Sequence, residues 1–380
     1  MKPRKICIIS NYYPSEFDPI YSFVDEVVCG FADRDIECVV ITPTSITEKE
    51  HKAHSRKKKS REGKIISIYC PPYLSVSDKR ILGIDLQRIT CENSIKSAYK
   101  AYKKFAADSD LIYGHFLNLS GITASYIAKR EKKPCIVACG ESSFDTAKSI
   151  YELYKDEIRG IDGIVSVSTE NQQILKSMGL LNESTQIRVI PNGVDLTKFY
   201  PIAQEKARKE LGLSLNTFIV AFVGHFIERK GIGKVVEAIN QVPGAYGLFI
   251  GGTELPYKCE KAIFVGKVPH DKLRLYLSAS DVFVLPTLNE GCCNSILEAQ
   301  ACGLPIISSN RAFNEDILPL GSAMLIDPLS MSELVKSLEK VKESPDLRKQ
   351  LKKESIRLSK ERDIQLRIDN IIRFIDEITE

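Results

Sequence analysis

The sequence predicts an α/β protein of two doubly wound parallel-sheet domains facing across a cleft. Three observations carry this expectation. Short apolar runs alternate with helix-length amphipathic stretches through most of the 380 residues. The runs lack strict polar alternation, so they suit strands buried on both faces, and the helices supply the crossovers that parallel strands require. The series is interrupted once, in the polar stretch 191–215, and then starts again.

Taken in order, the first strand is expected at 5–10, where Ile6-Cys-Ile-Ile9 follows a basic start. That run is too short for a signal peptide. Further strands are expected at 37–42, 65–70, 111–113, 135–138, 163–168 and 187–190. Helices at 23–33, 92–107, 122–129 and 171–178 fall between them. Pro191-Asn-Gly-Val-Asp195 reads as a turn. The polar stretch 201–215, short of β-branched residues, reads as an interdomain link. The second series has strands at 218–223, 246–250, 262–265, 282–285, 305–308 and 323–326. Its helices are 232–240, 271–278, one carrying Glu298, and 331–342. Residues 347–378 read as helical, with an apolar stripe of Ile364, Leu366, Ile368, Ile371, Ile372 and Ile375.

Composition narrows the function classes. The charged fraction is 27% and the hydrophobic fraction 43%, which describe an ordinary globular protein rather than a disordered or fibrous one. No segment approaches the ~20 apolar residues of a membrane span. Eleven cysteines, an odd number placed mostly in apolar runs, fit buried thiols in a cytoplasm better than a disulfide framework. No C-x-x-C pair exists, so no zinc site is expected. The net charge of +4 arises in the first half, much of it in the run 49–64, from Lys49 to Lys64. By itself such a run reads as a solvated, mobile loop. Its sharper reading is a contact with anionic lipid headgroups, which Lys96, Lys100, Lys103 and Lys104 with Tyr99, Tyr102 and Phe105 would extend on a helix. No nucleic-acid motif accompanies it.

One stretch carries the chemistry. In Asn289-Glu-Gly-Cys-Cys-Asn-Ser-Ile-Leu-Glu298, a loop carboxylate stands eight residues before a helix carboxylate. Gly291 frees the backbone at the helix mouth, where unpaired N–H groups and the helix dipole favour an anion. Two carboxylates beside such a mouth suit a ligand with both hydroxyls and phosphates, such as a nucleotide sugar.

These residues resemble the Glu-x7-Glu element of the family-4 retaining glycosyltransferases, which have the GT-B fold. Other elements follow in the family's order: Asn11-Tyr-Tyr-Pro-Ser15, Gly114-His115, Val165-Ser-Val-Ser168, the link Pro191–Pro201 of the pattern Pro-Asn-Gly-Val-Asp, the loop Val223-Gly-His-Phe-Ile-Glu-Arg-Lys-Gly231, and Phe264-Val-Gly-Lys-Val-Pro-His270. The resemblance covers essentially the whole chain. It implies an acceptor domain at 1–195, a nucleotide-sugar domain at 196–362, and a terminal helix at 363–380 that returns to the first domain.

The resemblance also implies roles. Glu298 would hold the ribose hydroxyls and Glu290 the donor-sugar hydroxyls. The backbone of Gly291, Cys292, Cys293 and Asn294 would face sugar and diphosphate. Lys230, with Arg229, His225 and Gly224, would meet the diphosphate, Val268 would lie near the base, and His115 would reach the donor sugar. No metal and no cofactor are implied beyond the nucleotide-diphosphate sugar as co-substrate. The partners would be that donor and a glycan or lipid-linked acceptor, with no nucleic acid. The setting would be cytoplasmic, peripheral at the inner membrane face, in cell-surface polysaccharide synthesis. Departures stand beside the match. His225 occupies a position usually Arg, Tyr21 and Ser22 a position usually Gly, Cys139 a common His position, and Arg311-Ala-Phe-Asn-Glu315 a usual Gly-Gly turn. His225 and Tyr21 favour one rival reading, a GT-B protein that binds nucleotide sugar without transfer; a second rival is another GT-B enzyme, such as a nucleotide-sugar epimerase. Asp108-Ser-Asp110 matches the Asp-x-Asp of metal-dependent transferases but carries little weight just before a strand.

Overall fold

The structure is a computed structural model. It describes residues 4–14, 21–47, 54–76, 80–81, 84–144, 147–255 and 257–380. The chain divides into two compact units, Met1–Ile190 with Ile368–Glu380, and Pro191–Arg367.

The first unit is built on eight strands: β1 (Lys5–Ile9), β2 (Glu37–Ile41), β3 (Arg56–Lys59), β4 (Ile65–Tyr69), β5 (Leu111–His115), β6 (Cys135–Cys139), β7 (Gly163–Ser166) and β8 (Gln186–Val189). Their order is β8-β7-β6-β5-β1-β2-β4-β3. Neighbours are parallel except β3 and β4. β1 lies in the interior of the sheet, and Ile6 through Ile9 are fully buried, as its unbroken apolar run requires. Strand order reverses between β1 and β5. Around the sheet pack α1 (Ser22–Ala32), α2 (Leu86–Phe105), α3 (Ile122–Glu131) and α4 (Thr169–Ser177). α2 starts six residues before the sequence expectation. Its first turn buries nothing and Ile89 is exposed, so no apolar period announces it.

Two readings of the basic region are corrected here. Residues 48–53 lie outside those described, so the start of the 49–64 run has no structural account. Residues Arg56–Lys59, however, are an edge strand and not a loop. The strand period turns Lys57 and Lys59 to solvent and Arg56 and Lys58 inward, where Lys58 pairs with Asp25 and Arg56 donates to the Pro14 carbonyl at 2.6 Å. The aromatic residues of α2 do not extend an exposed surface. Tyr102 is fully buried, Phe105 stacks on Tyr69 at 3.8 Å, and Tyr99 donates to Glu131 at 2.7 Å. The helix spends its aromatic face on the core, because that face is the largest apolar area it has to bury.

The second unit carries six parallel strands: β9 (Phe218–Val223), β10 (Ala245–Ile250), β11 (Ala262–Gly266), β12 (Val282–Leu285), β13 (Ile306–Ser309) and β14 (Met324–Ile326). Their order is β11-β10-β9-β12-β13-β14, reversing between β9 and β12. Its helices include α5 (Ile232–Gln241), α6 (His270–Ala279), α7 (Asn294–Ala301), α8 (Met331–Glu343) and α9 (Pro345–Glu361). The stretch read as an interdomain link is instead part of this unit. Residues Gln204–Glu210 form a helix whose Arg208 is 3% exposed. The guanidinium donates to the carbonyls of Ala279 and Leu215 at 2.8 Å each and to Asp281 at 2.7 Å. The segment is polar because it anchors by charge rather than by apolar area.

Val194 bridges to Asp363, with Val194 N–H to Arg362 O at 2.8 Å and Ile364 N–H to Val194 O at 3.0 Å. A Cβ on Gly193 would stand 2.7 Å from Ile364 Cα, so the turn admits only glycine at this approach. After this bridge comes α10 (Ile364–Thr379). Within the first unit Ile368 fills the space a Gly30 side chain would need, and Asp369 pairs with Arg34. The expected stripe is corrected at Leu366, which is 47% exposed. Two residues from Ile364 and from Ile368, it falls on the opposite helix face, and Phe374 joins the buried face instead.

Asp281→Ala strips the carboxylate from a buried guanidinium. Destabilisation of about 3 kcal/mol is expected, read as a lower denaturant midpoint of the full chain. A midpoint unchanged from the parent would show that the carbonyls alone satisfy Arg208.

Candidate functional site

Open α/β sheets bind ligands beyond the carboxyl ends of their strands, where strand order reverses. In the second unit that point lies between β9 and β12. β9 runs into Gly224, and β12 runs into Pro286-Thr287-Leu288-Asn289-Glu290. The two loops are bound to each other. Leu288 N–H donates to Arg229 O at 2.8 Å. Gly231 has φ +76, and a Cβ there would meet Pro286 O at 2.5 Å, so the first loop can close on the second only with glycine.

Glu290 stands where they meet. It is 8% exposed, and its Oε1 gathers three donors. Lys230 Nζ forms an ion pair with it, Thr287 Oγ1 donates at 2.9 Å, and Arg229 lies at 3.4 Å. Arg229 also donates to the Asn289 carbonyl. A carboxylate this buried needs such pairing to offset the hydration it has lost. Two cations about one carboxylate leave a positive excess at the loop edge.

α7 opens directly after. Cys293 sits at its N-cap without a side-chain cap, so the helix mouth presents backbone N–H groups. Asn192 Nδ2 donates to Asn294 Oδ1 at 2.8 Å and lies 3.4 Å from Cys292 O. Glu298, further along α7, holds one oxygen 2.8 Å from His270 Nε2 at the start of α6. Burial pushes the Cys292 thiol up to about 12, and it also raises Cys293. Both stay protonated thiols at neutral pH, which makes them poor nucleophiles.

The structure thus brings Glu290, Lys230 and Arg229 into one cluster, and Gly291, Cys292, Cys293, Asn294 and Glu298 onto the next loop and helix. Gly224 begins the loop after β9, and His225 is exposed on it, its carbonyl accepting from Ile227 at 2.9 Å. Val268 is half-buried in the loop before α6, packed on the core. Sequence reasoning missed Thr287, His270 and the side-chain role of Asn192. Asn192, beside Gly193 in the turn motif, and His270, closing the Phe264–His270 motif, carried a local signal, and Thr287 carried none.

His115 belongs to the first unit, at the end of β5 and so at that sheet's own reversal point. It is 4% exposed among Phe116, Phe23 and Tyr113, with ring centroids 5.2, 5.9 and 6.1 Å away. The next residue, Phe116, has φ +75, a conformation that costs a non-glycine residue roughly 1–3 kcal/mol. Glu141 secures it by accepting the backbone N–H groups of Leu117 at 2.5 Å and Asn118 at 3.2 Å. Burial holds the Glu141 carboxyl above the usual range. Tyr21, standing at a usual glycine position, joins Tyr12 and Phe116 in an aromatic cluster, with centroids 4.9 and 6.0 Å away. Pro19 and Ile20 of that loop lie outside the described residues. Asp108 and Asp110 serve β1: Asp108 pairs with Lys5 at 2.8 Å, and Asp110 accepts from Arg4 N–H at 2.8 Å and Lys5 N–H at 3.0 Å. Among the described residues no cluster of three metal-binding side chains occurs, and no helix is long and apolar enough to cross a membrane.

Known proteins resemble this chain in sequence and in fold. The family profile described as Glycosyl transferases group 1 matches residues 203–358. TuaC of Bacillus subtilis (strain 168), whose name assigns it to teichuronic acid biosynthesis as a glycosyltransferase, is 27% identical over 351 residues, covering 88% of each chain. The UDP-Gal:alpha-D-GlcNAc-diphosphoundecaprenol alpha-1,3-galactosyltransferase of Escherichia coli is 31% identical over 243 residues, covering 57% of this chain and 61% of its own. Sucrose-phosphate synthase from Thermosynechococcus elongatus has the same fold, with a TM-score of 0.76 at 18% identity, covering 98% of this chain and 99% of its own. Residues 203–358 thus carry a glycosyl transferases group 1 domain, and the chain is a glycosyltransferase of the GT-B fold.

Proposed function

We propose that the protein is a retaining transferase that moves a hexosyl group from a nucleoside diphosphate sugar, UDP foremost, to a lipid-linked saccharide during surface polysaccharide assembly. The cluster of Glu290 with Lys230 and Arg229 at a helix mouth carries this reading. The names of the relatives support it: one denotes a UDP-galactose donor and a diphosphoundecaprenol acceptor, another teichuronic acid biosynthesis.

In this reading Glu298 accepts hydrogen bonds from the ribose diol. The backbone N–H groups of Cys292, Cys293 and Asn294 and the ammonium of Lys230 meet the diphosphate, where negative charge grows as the donor bond breaks. Glu290 is then free to turn to donor-sugar hydroxyls. The bond from the anomeric carbon to the phosphate oxygen breaks, the acceptor oxygen bonds to that carbon on the same face, and its proton passes to the leaving phosphate. No side-chain nucleophile is required, so the carboxylates are not the acid and nucleophile of a glycoside hydrolase. His115 keeps its proposed role toward the donor sugar, supported by its place at the reversal point of its own sheet. The first unit carries the acceptor. Exposed Lys57 and Lys59 on edge strand β3 support a contact with anionic lipid headgroups at the inner membrane face.

Glu298→Ala and Lys230→Ala are each expected to weaken donor binding at least about tenfold, measured by titrating UDP- and GDP-sugars calorimetrically. Unchanged affinity in both variants would sink the assignment. In vesicle flotation, replacing both Lys57 and Lys59 by Glu should reduce binding to anionic vesicles, each lysine contributing about 1 kcal/mol. Equal binding of the parent protein to neutral and anionic vesicles would remove the headgroup contact.

A further inference from the structure

None of the motif roles involves the His270 side chain, yet the structure sets it against Glu298. His270 is the first residue of α6, and its Nε2 lies 2.8 Å from Glu298 Oε1 on α7. The other side of the imidazole is also held. Its ring meets Phe199 near edge to face, with centroids 5.1 Å apart and planes at 63°. Phe199 is 2% exposed and fixed by its own N–H to the Asp195 carbonyl at 2.8 Å. The ring therefore cannot swing from Glu298 without giving up a packed aromatic contact. The Glu298 side chain is 14% exposed and that of His270 47%, so the pair lies at the solvent edge of the site rather than inside the core. A hydrogen bond there is a weak source of stability, and its main effect is to restrict a flexible side chain before a ligand arrives.

We propose that His270 is a positioning residue for donor ribose recognition: it fixes the Glu298 carboxylate so that the vicinal diol of a ribonucleoside diphosphate meets an already oriented acceptor. This rests on the donor site proposed above. Neutral imidazole donates through Nε2–H in one tautomer, which is enough to hold Oε1 without changing the charge of the site. The consequence is selectivity. His270 matters for ligands with ribose hydroxyls and is indifferent to ligands without them. A residue that touched the base or only supported the fold would weaken both kinds alike.

The test is calorimetric titration of UDP and GDP, each beside its 2′,3′-dideoxy form. The proteins are the parent, His270→Ala, His270→Gln, Glu298→Ala and the Ala/Ala double variant. His270→Ala should weaken the ribonucleotide about five- to tenfold and leave the dideoxy ligand unchanged. His270→Gln, which keeps an N–H donor, should recover most of the loss. In the Glu298→Ala background the His270 change should add nothing, because the two act as one unit. Unchanged ribonucleotide affinity in His270→Ala, or an equal loss with the dideoxy ligand, overturns the inference while leaving the donor site standing. Failure of the parent protein to bind either ribonucleotide overturns the donor site itself and this inference with it.

Discussion

One carboxylate oxygen organises the ligand edge of the second unit. Glu290 Oε1 draws in Lys230, Thr287 and Arg229, and together they tie the loop after β9 to the loop after β12, where strand order reverses. Arg229 carries the loop after β9, and Thr287 carries the loop after β12. Ser309 Oγ, at the end of β13, donates to the Thr287 carbonyl at 2.5 Å and locks the second loop from behind. A carboxylate left alone at this depth would be costly, so the three donors are the condition for its being there. In the donor site proposed above, the same pairing sets these two cations beside the diphosphate. The same contacts that keep the loops in register thus prepare the charge distribution of the site.

The first unit solves a similar problem with the opposite partners. At its reversal point a carboxylate, Glu141, accepts backbone N–H groups instead of side-chain cations. These bonds secure the turn after His115 and let Phe116 keep an unfavourable backbone angle. Strain held by a buried carboxylate at the ligand edge of a sheet marks a place where geometry matters more than local comfort. The aromatic cluster of Tyr12, Tyr21 and Phe116 stands on that turn. Tyr21 therefore has a packing reason to replace the usual glycine.

Much of the fold was legible because buried parallel strands leave an unmistakable trace. Residues 218–223 and 282–285 were placed to the residue from apolar runs alone. Signals failed where apolar area does not do the work. The Arg56–Lys59 strand has no apolar residue and forms because an edge position lets two of its cations reach Asp25 and the Pro14 carbonyl. The Gln204–Glu210 helix is held by the buried Arg208 guanidinium and the Gln204 amide, which composition cannot distinguish from the polar groups of a linker. The first turn of α2 is solvated and silent.

The candidate site divides in the same way. By itself the sequence determined that a glycine, two carboxylates and a helix start follow a buried strand, since those features are local and their spacing is fixed by strand and helix geometry. It also determined the family resemblance, through motifs in order. Only the tertiary structure decided which groups face one another. It put Lys230 on Glu290, His270 on Glu298 and Asn192 on Asn294, pairs separated by 60, 28 and 102 residues. Hydrogen bonds of this kind are set by how sheets and loops pack, and nothing in the spacing of a single segment records a partner that arrives from another strand.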